Sequence, residues 1–403
     1  MTFPQNSGKV LLSGKGAAGN GCALAAFYFP NFRQMAETTR EKRKVSVMTQ
    51  QELTIRNLGQ SLDDLANLDP RGYGVCKILY EASRRYTGGP TSMNAAMKLA
   101  ETVKAGDIVY IMTGFVLRPY KKPETDGIVS SALLCRALVK AFGAKPVIIC
   151  PKGNYEAVQH LAPCVGLHLQ EDMDDLREIP VSMGVTCFTD DEKEAEAQAE
   201  TLIARDNPTA VISIECPGAN CVGQYHNATG LNVTELEAKQ DVLFEKLQVQ
   251  GVLNIAIGDL GNEIGMGTIS DTLERYIPYA GKGGCRCGCG GGIAVRTKAD
   301  NIITATVSDW GCYAMIAALA YLKEDPDILH SPELERKALE TASSCGMIDM
   351  YGWLTPAIDG FGLETNMPMV ALMGELVKNA LNLKETCRTW FEKVEALHYF
   401  DEH

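Results

Sequence analysis

The stretch that decides the fold is Val252-Leu-Asn-Ile-Ala-Ile257, followed by Gly258-Asp-Leu-Gly-Asn-Glu-Ile-Gly-Met-Gly267. Its first six residues are mostly apolar, which is typical of a buried strand. The next ten include four glycines, two carboxylates and one carboxamide. Glycine lets a backbone approach a ligand closely, and carboxylates bind metal ions or accept protons. The stretch therefore predicts a strand that ends in a functional loop; a glycine-rich surface loop with solvated acids is the alternative.

Segments typical of strands and helices alternate on both sides of this stretch. Near-continuous apolar strands separated by helices are typical of a parallel sheet covered on both faces. We therefore predict an α/β fold, with a mostly parallel, Rossmann-like sheet, helices on both faces and extra C-terminal helices. The predicted strands are 107–113, 146–150, 209–215, 252–257 and 302–307, and the predicted helices are 127–142, 154–162, 190–205, 234–248, 310–323, 332–344, 367–381 and 385–396.

The beginning of the chain differs in composition from the rest. Segment 13–21 is rich in glycine and alanine, and we predict a partly flexible N-terminal extension at 1–55 before a single α/β domain at 56–403. Glu37 is the first acidic residue, so a mitochondrial transit peptide is compatible with this segment. Because arginines are few there, we predict a cytoplasmic protein, with the mitochondrial matrix as the alternative.

Composition limits the partners of the 403-residue chain. Its net charge of −12 argues against nucleic acid or an anionic membrane as the main partner. No apolar stretch reaches the roughly 18 residues that a membrane span requires. We therefore expect a small-molecule partner and no nucleic acid or membrane, and a homo-oligomer is compatible with the composition.

The fourteen cysteines are scattered, and most lie in apolar runs. Buried free thiols in a reducing compartment are the simplest interpretation. The exception is Cys285-Arg-Cys-Gly-Cys289, which resembles a site for a soft metal. It lacks the CxxC spacing of common zinc sites, and no second Cys/His pair is placed to complete one. We predict flexible loop cysteines here, with a structural metal as the alternative.

Four predicted strands lead into polar or glycine-rich motifs. In open parallel sheets, ligands bind in the crevice at the carboxyl ends of the strands. We therefore expect the four motifs to lie along one edge of the sheet and to form an enzyme site. The motifs are Glu124-Thr-Asp-Gly127, Glu215-Cys-Pro-Gly218 with Tyr225-His-Asn227, the 258–267 loop, and Ser308-Asp-Trp-Gly311.

Each motif has a structural alternative. Thr125 with Asp126, and Ser308 with Asp309, are good N-cap residues, and capping alone would explain either pair. A helix N-terminus also binds anions, so capping and ligand binding are compatible. Glu215 ends an apolar strand, where an unpaired charge is costly, and this favours a functional role.

Other polar residues are weaker candidates. His226 is compatible with a satisfied polar histidine, and Asn227 with a turn residue. Arg71 precedes a predicted helix and is a candidate for holding a substrate carboxylate, although a solvated arginine is the favoured interpretation. Asp349 and Asp359 lie in loop-like sequence, either in a surface turn or in a wall of the site.

Six motifs occur in a fixed order: Arg71-Gly-Tyr-Gly74, Tyr86-Thr-Gly-Gly-Pro90, Glu124-Thr-Asp-Gly127, Tyr225-His-Asn227, the 258–267 loop and Ser308-Asp-Trp-Gly311. Together they resemble the D-glutamate cyclase-like family over about residues 60–385. The first ~55 residues and the cysteine- and glycine-rich segment 284–292 depart from the family pattern.

The resemblance implies a hydro-lyase that converts D-glutamate to 5-oxo-D-proline and water, or catalyses the reverse reaction. It also implies an amino-acid substrate. The α-amine must lose protons to a base, and the γ-carboxylate must be neutralised before an oxygen can leave. On this basis Glu263 or Asp259 takes the proton, and Asp126 is a further catalytic candidate.

The same resemblance implies binding roles. Asp126, Glu215, Asp259 and Glu263 are candidate ligands of a divalent cation such as Mg²⁺ or Mn²⁺. The candidate substrate-binding residues are Thr125, Gly127, Glu215, Asn227, Asn262, Ser308, Asp309 and Arg71.

Two other functions fit the same sequence. One is an α/β enzyme that uses a nucleotide or phosphate, although the chain has no P-loop and the acids in the glycine-rich loop argue against direct phosphate contact. The other is a regulatory protein that binds a metal or an amino acid without catalysis.

Overall fold

The computed structural model of the protein describes residues 49–382 and 388–399. Residues 1–48 of the extension predicted at 1–55, which include segment 13–21, lie outside the described residues. The boundary between this extension and the domain stays a prediction. The strands are β1 (Ile108–Thr113), β2 (Val116–Leu117), β3 (Lys122–Pro123), β4 (Lys145–Cys150), β5 (His168–Gln170), β6 (Ser182–Cys187), β7 (Ala210–Ile214), β8 (Leu253–Gly258), β9 (Asn301–Thr304), β10 (Ala357–Ile358) and β11 (Phe361–Gly362).

Helices connect these strands and continue beyond them. The α-helices are α1 (Gln50–Ala66), α2 (Val75–Thr87), α3 (Thr91–Thr102), α4 (Ile128–Phe142), α5 (Tyr155–Cys164), α6 (Met173–Glu178), α7 (Glu192–Asp206), α8 (Gln240–Val249), α9 (Ser270–Tyr276), α10 (Ser308–Leu322), α11 (Pro332–Ser344), α12 (Leu363–Asn382) and α13 (Arg388–Ala396). Single 3₁₀ turns lie at Lys152–Asn154, Gly267–Ile269 and Pro326–Ile328.

Seven strands form one sheet in the order β5-β6-β4-β1-β7-β8-β9, and neighbouring strands in it are parallel. After β1 the chain builds the sheet outward through β4, and it later returns to the other side of β1 with β7. The topological switch point therefore lies between β1 and β7, which is where open α/β sheets bind their ligands.

Both faces of the sheet are covered, as predicted. Along β1, Val109 and Ile111 pack into an apolar cluster with α1, α3, α4, α5, α10, α11 and α12. Tyr110 and Met112 point to the opposite face and pack with α6, α7 and α8. Strands buried on both sides have the continuous apolar sequence seen here, because neither set of alternate side chains reaches water.

The predicted α/β class and the extra C-terminal helices are confirmed, and several element boundaries were wrong. The helix predicted at 367–381 begins at Leu363, and the first three residues of the helix predicted at 385–396 lie outside the described residues. The strand predicted at 302–307 ends at Thr304, because its partner β8 ends opposite it at Gly258. The helix predicted at 234–248 begins at Gln240. Before it, the backbone N–H of Lys239 donates to the carbonyl of Thr189 (2.9 Å), outside any helical pattern.

Strands β5 and β6 were missed at the sequence level. The β6 sequence, Ser182-Met-Gly-Val-Thr-Cys187, contains a glycine and two hydroxyl side chains and so lacks an apolar run.

None of the helices in the described part of the chain has the length and apolar character that a membrane span requires.

Helix α1 is joined to helix α3 through a buried carboxylate. Asp63 accepts hydrogen bonds from the backbone N–H groups of Thr91 (2.6 Å) and Ser92 (3.1 Å), and from both of their hydroxyls. It therefore caps the N-terminus of α3, which packs against α10 and the sheet.

We predict that Asp63→Ala lowers the free energy of unfolding by about 2–3 kcal/mol, because it leaves these donors buried without a partner. Urea-induced unfolding measures the change. The matched control is Asp64→Ala, at an exposed neighbouring position, which should alter stability by no more than about 0.5 kcal/mol. Equal effects of the two substitutions would contradict this role of Asp63.

Candidate functional site

The site lies at the switch point, where α4 begins directly against the ends of β1 and β7. Gly127 precedes α4 with φ 84°, and a Cβ atom at this position would lie 2.6 Å from Thr113 Oγ1 and 2.8 Å from the carbonyl oxygen of Ile214. Only glycine fits such a close approach at positive φ. Gly127 thus allows the N-terminus of α4 to pack directly against the edge of the sheet. In the structure it contributes this close packing.

Asp126 and Asp309 cap each other's helices. The Asp126 carboxylate accepts from the backbone N–H groups of Ser308 (3.2 Å) and Asp309 (3.0 Å) at the start of α10. Asp309 accepts from the N–H of Gly127 (2.8 Å) and from the Ser130 hydroxyl, at the start of α4. Asp126 also accepts from the N–H of its neighbour Gly127 (2.9 Å). The two residues thus do act as caps, as the structural alternative proposed, but most of their bonds go to the other helix, about 180 residues away in the sequence.

Glu215 lies at the end of β7 in a strained conformation. Its φ is 45°, in the left-handed region that residues other than glycine rarely adopt. Its carboxylate accepts a hydrogen bond from the Ser308 hydroxyl (2.6 Å). The strain costs of order 1–3 kcal/mol and is found mainly at functional positions, where the surrounding structure enforces it.

The 258–267 loop is folded around its own carboxylate. Glu263 accepts from the backbone N–H groups of Leu260 (3.2 Å) and Gly261 (2.7 Å), one on each oxygen. The N–H of Gly265 donates to Thr297 Oγ1 (2.9 Å). These N–H groups are therefore already paired within the protein.

Asp259 is at the centre of the acidic cluster. Its carboxyl group lies close to those of both Glu263 and Asp359. Carboxylate oxygens of Asp126, Asp259 and Asp359 lie within 4.8 Å of one another, and so do those of Glu215, Asp259 and Glu263. Because ionised carboxylates this close together repel one another, the cluster favours protons shared between neighbouring carboxyl groups.

Burial raises the pKa of seven carboxyl groups here, which are Glu124, Asp126, Glu215, Asp259, Glu263, Asp309 and Asp359. Repulsion between neighbouring carboxylates further raises the pKa of Asp259 and Glu215, which both end well above the ordinary range. The pKa of Asp309 rises to about 7. Hydrogen bonds from the loop N–H groups offset part of the rise in the pKa of Glu263. The site thus holds protons at pH values where exposed acids have lost them.

Arg71 brings a positive charge to one edge of this cluster. Its guanidinium donates to the carboxylate (3.0 Å) and to the backbone carbonyl (2.7 Å) of Asp359 and stacks over the Phe361 ring. The favoured interpretation of Arg71 as a solvated arginine was wrong. Asp359 has φ 53°, so a second member of the cluster also adopts the left-handed conformation.

Sequence reasoning did not select Glu124, although it lies in the Glu124–Gly127 motif beside three residues that were selected. For Asp359 it left open a surface turn or a wall of the site, and the structure places its carboxylate in the cluster. Asp359 precedes a glycine and is typical of a surface turn, and nothing local links it to Arg71, 288 positions earlier. Asp349 accepts from the N–H of Gly360 (2.6 Å) and so holds the loop that carries Asp359.

Other predicted site residues have local partners. The Thr125 hydroxyl donates to the carbonyl of Ala357 (2.6 Å). Asn227 accepts from the N–H groups of Thr229 (3.2 Å) and Leu231 (3.0 Å), as a turn residue does. Asn262 is buried in the loop, and its Oδ1 atom has no hydrogen-bond partner.

The donor set fits a hard divalent cation. Both groups of three acids present only carboxylate oxygens, which Mg²⁺ and Mn²⁺ prefer. Oxygens within 4.8 Å of one another can share one ion, since two opposite ligands at about 2.1 Å are separated by about 4.2 Å. These groups contain all four predicted ligands, which are Asp126, Glu215, Asp259 and Glu263. They also contain Asp359, which was not predicted as a ligand.

Comparisons with known proteins identify the family of the chain. A family model described as "D-glutamate cyclase-like, C-terminal" matches residues 62–374. The human mitochondrial D-glutamate cyclase is 25% identical over 271 residues, which are 65% of this chain and 39% of the human protein. The chain thus spans well under half the length of that relative. Because the family model covers most of the chain, the protein belongs to the D-glutamate cyclase-like family.

Proposed function

We propose that this protein converts D-glutamate to 5-oxo-D-proline and water, or catalyses the reverse reaction, at the cluster around Asp259. The observation that carries the proposal is the position of Asp259, which belongs to both groups of three acids, one with Asp126 and Asp359 and the other with Glu215 and Glu263. Membership of the family supports the choice of substrate, and the human relative carries the name of this activity.

The reaction forms a bond between nitrogen and the γ-carbon and breaks one γ-carbon–oxygen bond, and two protons must move from nitrogen to the departing oxygen. The substrate ammonium loses two protons as its nitrogen bonds to the γ-carbon, and one γ-oxygen leaves with two protons as water. A carboxyl group that shares protons with its neighbours can accept on one oxygen and donate from the other. Asp259 suits this role, because burial and nearby carboxylates hold its pKa well above the ordinary range.

Glu263 is better suited to positioning than to proton transfer. Both of its oxygens accept backbone N–H groups of the loop, so it fixes the conformation that places Asp259. Between the two bases that the sequence offered, the geometry therefore favours Asp259.

D-glutamate carries one cationic group and two anionic groups, and the site must supply a partner for each. The substrate ammonium would favour ionisation of Asp126 and Glu215, whose carboxylates would then orient it. A neutral, protonated carboxyl donates a hydrogen bond, and the raised pKa of Asp259 makes such a donor available to the γ-carboxylate. Arg71, at the edge of the cluster, is the candidate partner of the α-carboxylate, although it would have to leave or share Asp359.

A divalent cation would be held by Asp259 with either Asp126 and Asp359 or Glu215 and Glu263. It would offset part of their negative charge and polarise the γ-carboxylate as a Lewis acid. Holding the substrate curled, with nitrogen near the γ-carbon, accelerates ring closure without any cofactor.

The phosphate-binding alternative is weaker in this geometry. A loop that cradles phosphate must present free backbone N–H groups. Those of Leu260 and Gly261 are used by Glu263, and those at the starts of α4 and α10 are used by Asp126 and Asp309.

Asp259→Asn should lower kcat for formation of 5-oxoproline from D-glutamate by about 10²–10⁴-fold, because the amide can no longer take up the substrate proton. Mass spectrometry of the product measures the rate. Asp271→Asn, at an exposed position in α9 just beyond the loop, is the matched control and should retain the wild-type rate. A fully active Asp259→Asn enzyme would exclude Asp259 as the proton acceptor.

Stability should depend on pH in the direction set by the raised pKa values. The folded protein binds more protons than the unfolded chain once pH exceeds the ordinary carboxyl pKa of about 4. Stability should therefore fall as pH rises from about 4 through the pKa of Asp309 near 7 and beyond. Chemical denaturation at a series of pH values tests this, and stability that rises steadily from pH 5 to pH 8 would contradict it.

Mn²⁺ should bind to the acidic cluster once its carboxyl groups have lost their protons. At pH 8 a concentration one hundred times its Kd should stabilise the fold by about 2.7 kcal/mol, whereas at pH 5 protons compete and the gain should be much smaller. Thermal unfolding with and without Mn²⁺ measures both effects. Asp259→Asn should abolish most of the gain at pH 8. The same Mn²⁺ effect at both pH values, or none, would argue against a cation among these acids.

A further inference from the structure

A second cluster of potential ligands lies outside the acidic site. His226 and three cysteines, Cys285, Cys287 and Cys289, each place one ligand atom within 4.8 Å of the others. His226 Nε2 lies 3.2 Å from Cys287 Sγ and 3.7 Å from Cys289 Sγ. Cys285 Sγ lies 3.4 Å from Cys289 Sγ and 3.6 Å from Cys287 Sγ. We propose that these four residues bind a structural zinc ion.

The distances have the dimensions of a tetrahedral zinc site. With Zn–S bonds of about 2.3 Å and a Zn–N bond of about 2.0–2.1 Å, ligand atoms are separated by about 3.5–3.8 Å. Four of the six separations between ligand atoms range from 3.2 to 3.7 Å, and the other two are at most 4.8 Å. Closure on an ion therefore requires movements of about 1 Å or less. The sulfur atoms are well beyond the roughly 2.05 Å of a disulfide, and all three cysteines are free.

Glycines explain how alternate cysteines converge. In an extended chain, residues two apart are separated by about 6.6 Å along the strand, too far for shared ligation. Gly288 and Gly290 follow Cys287 and Cys289, with φ 77° and 85°. These left-handed turns curl the chain so that three sulfurs face one point. The prediction of flexible loop cysteines, based on the absence of CxxC spacing, overlooked this geometry, and it also overlooked the distant histidine that completes the set.

Two hydrogen-bond donors face the sulfur of Cys289. The backbone N–H of Gly291 and the Asn220 side-chain amide each lie 3.5 Å from its sulfur as donors. The Asn220 amide also donates to the carbonyl of Gly292 (2.7 Å), which fixes its orientation. Donors around a ligating sulfur are the usual outer shell of a thiolate–metal site.

The ligand set identifies the metal and its role. Three thiolates and one imidazole in tetrahedral arrangement favour zinc over Mg²⁺ or Mn²⁺, which prefer oxygen. Four protein ligands leave no open position for a substrate, which is the arrangement of structural sites. The ion would therefore stabilise the fold without entering the chemistry at Asp259.

Zinc would fasten two segments that support the acidic loop. His226 lies in the turn-rich segment after Glu215, and the cysteines lie just before Val295. The N–H of Val295 donates to the carbonyl of Gly261 (3.3 Å), within the 258–267 loop. One further link between the two segments is the hydrogen bond from the Arg286 N–H to the carbonyl of Gly230 (2.8 Å).

The test is elemental analysis of the full-length protein, expressed with zinc and purified without chelators. We expect one zinc per chain, and X-ray absorption at the zinc edge should give three sulfur neighbours and one nitrogen neighbour. This measurement needs no variant and so does not depend on whether a ligand substitution folds. A folded chain without zinc, or zinc with only oxygen and nitrogen neighbours, would overturn the proposal.

Variants locate the ion. Cys287→Ser, at the exposed ligand, should lose most of the zinc, whereas Cys221→Ser should retain it, since Cys221 is an exposed cysteine of the same region outside the four. Asp259→Asn should also retain the zinc, which separates this site from the acidic cluster. Full zinc occupancy in Cys287→Ser would count against the assignment, and loss in Asp259→Asn would place the ion among the acids instead.

Discussion

The crowding of buried carboxyl groups at one edge of the sheet is the constraint on which the rest of the structure depends. Desolvation and mutual repulsion both oppose their ionisation, and burial raises the pKa of each of the seven. The fold holds them in place with groups that carry partial positive charge. The N-termini of α4 and α10 face Asp309 and Asp126, and the loop N–H groups face Glu263.

The sequence was sufficient to predict where these acids meet. Strands of a parallel sheet end at the same edge, so motifs that follow them along the chain become neighbours in space. This reasoning placed Asp126, Glu215 and Asp259 near one another, and their arrangement in the structure agrees with it. The alternation of apolar strands and helices likewise predicted the two-sided sheet.

The sequence was insufficient to predict which side chains pair with each other when the partners lie far apart along the chain. The exchange of caps between Asp126 and Asp309, the pairing of Arg71 with Asp359, and the meeting of His226 with the cysteine run all depend on tertiary folding. Backbone conformation was equally hidden, since the left-handed φ values of Glu215 and Asp359 have no signature in residue type. Glycine positions near Cys287 and Cys289 were the available signal for the second cluster.

The central claim is that this chain alone, which covers 39% of the human relative, carries the chemistry of the cyclase. The direct measurement is incubation of the purified chain with D-glutamate or L-glutamate, with and without Mn²⁺, followed by mass spectrometry for 5-oxoproline. We predict enzyme-dependent formation of 5-oxoproline from D-glutamate. Absence of the product under all of these conditions, together with no hydrolysis of 5-oxo-D-proline in the reverse direction, would contradict the account.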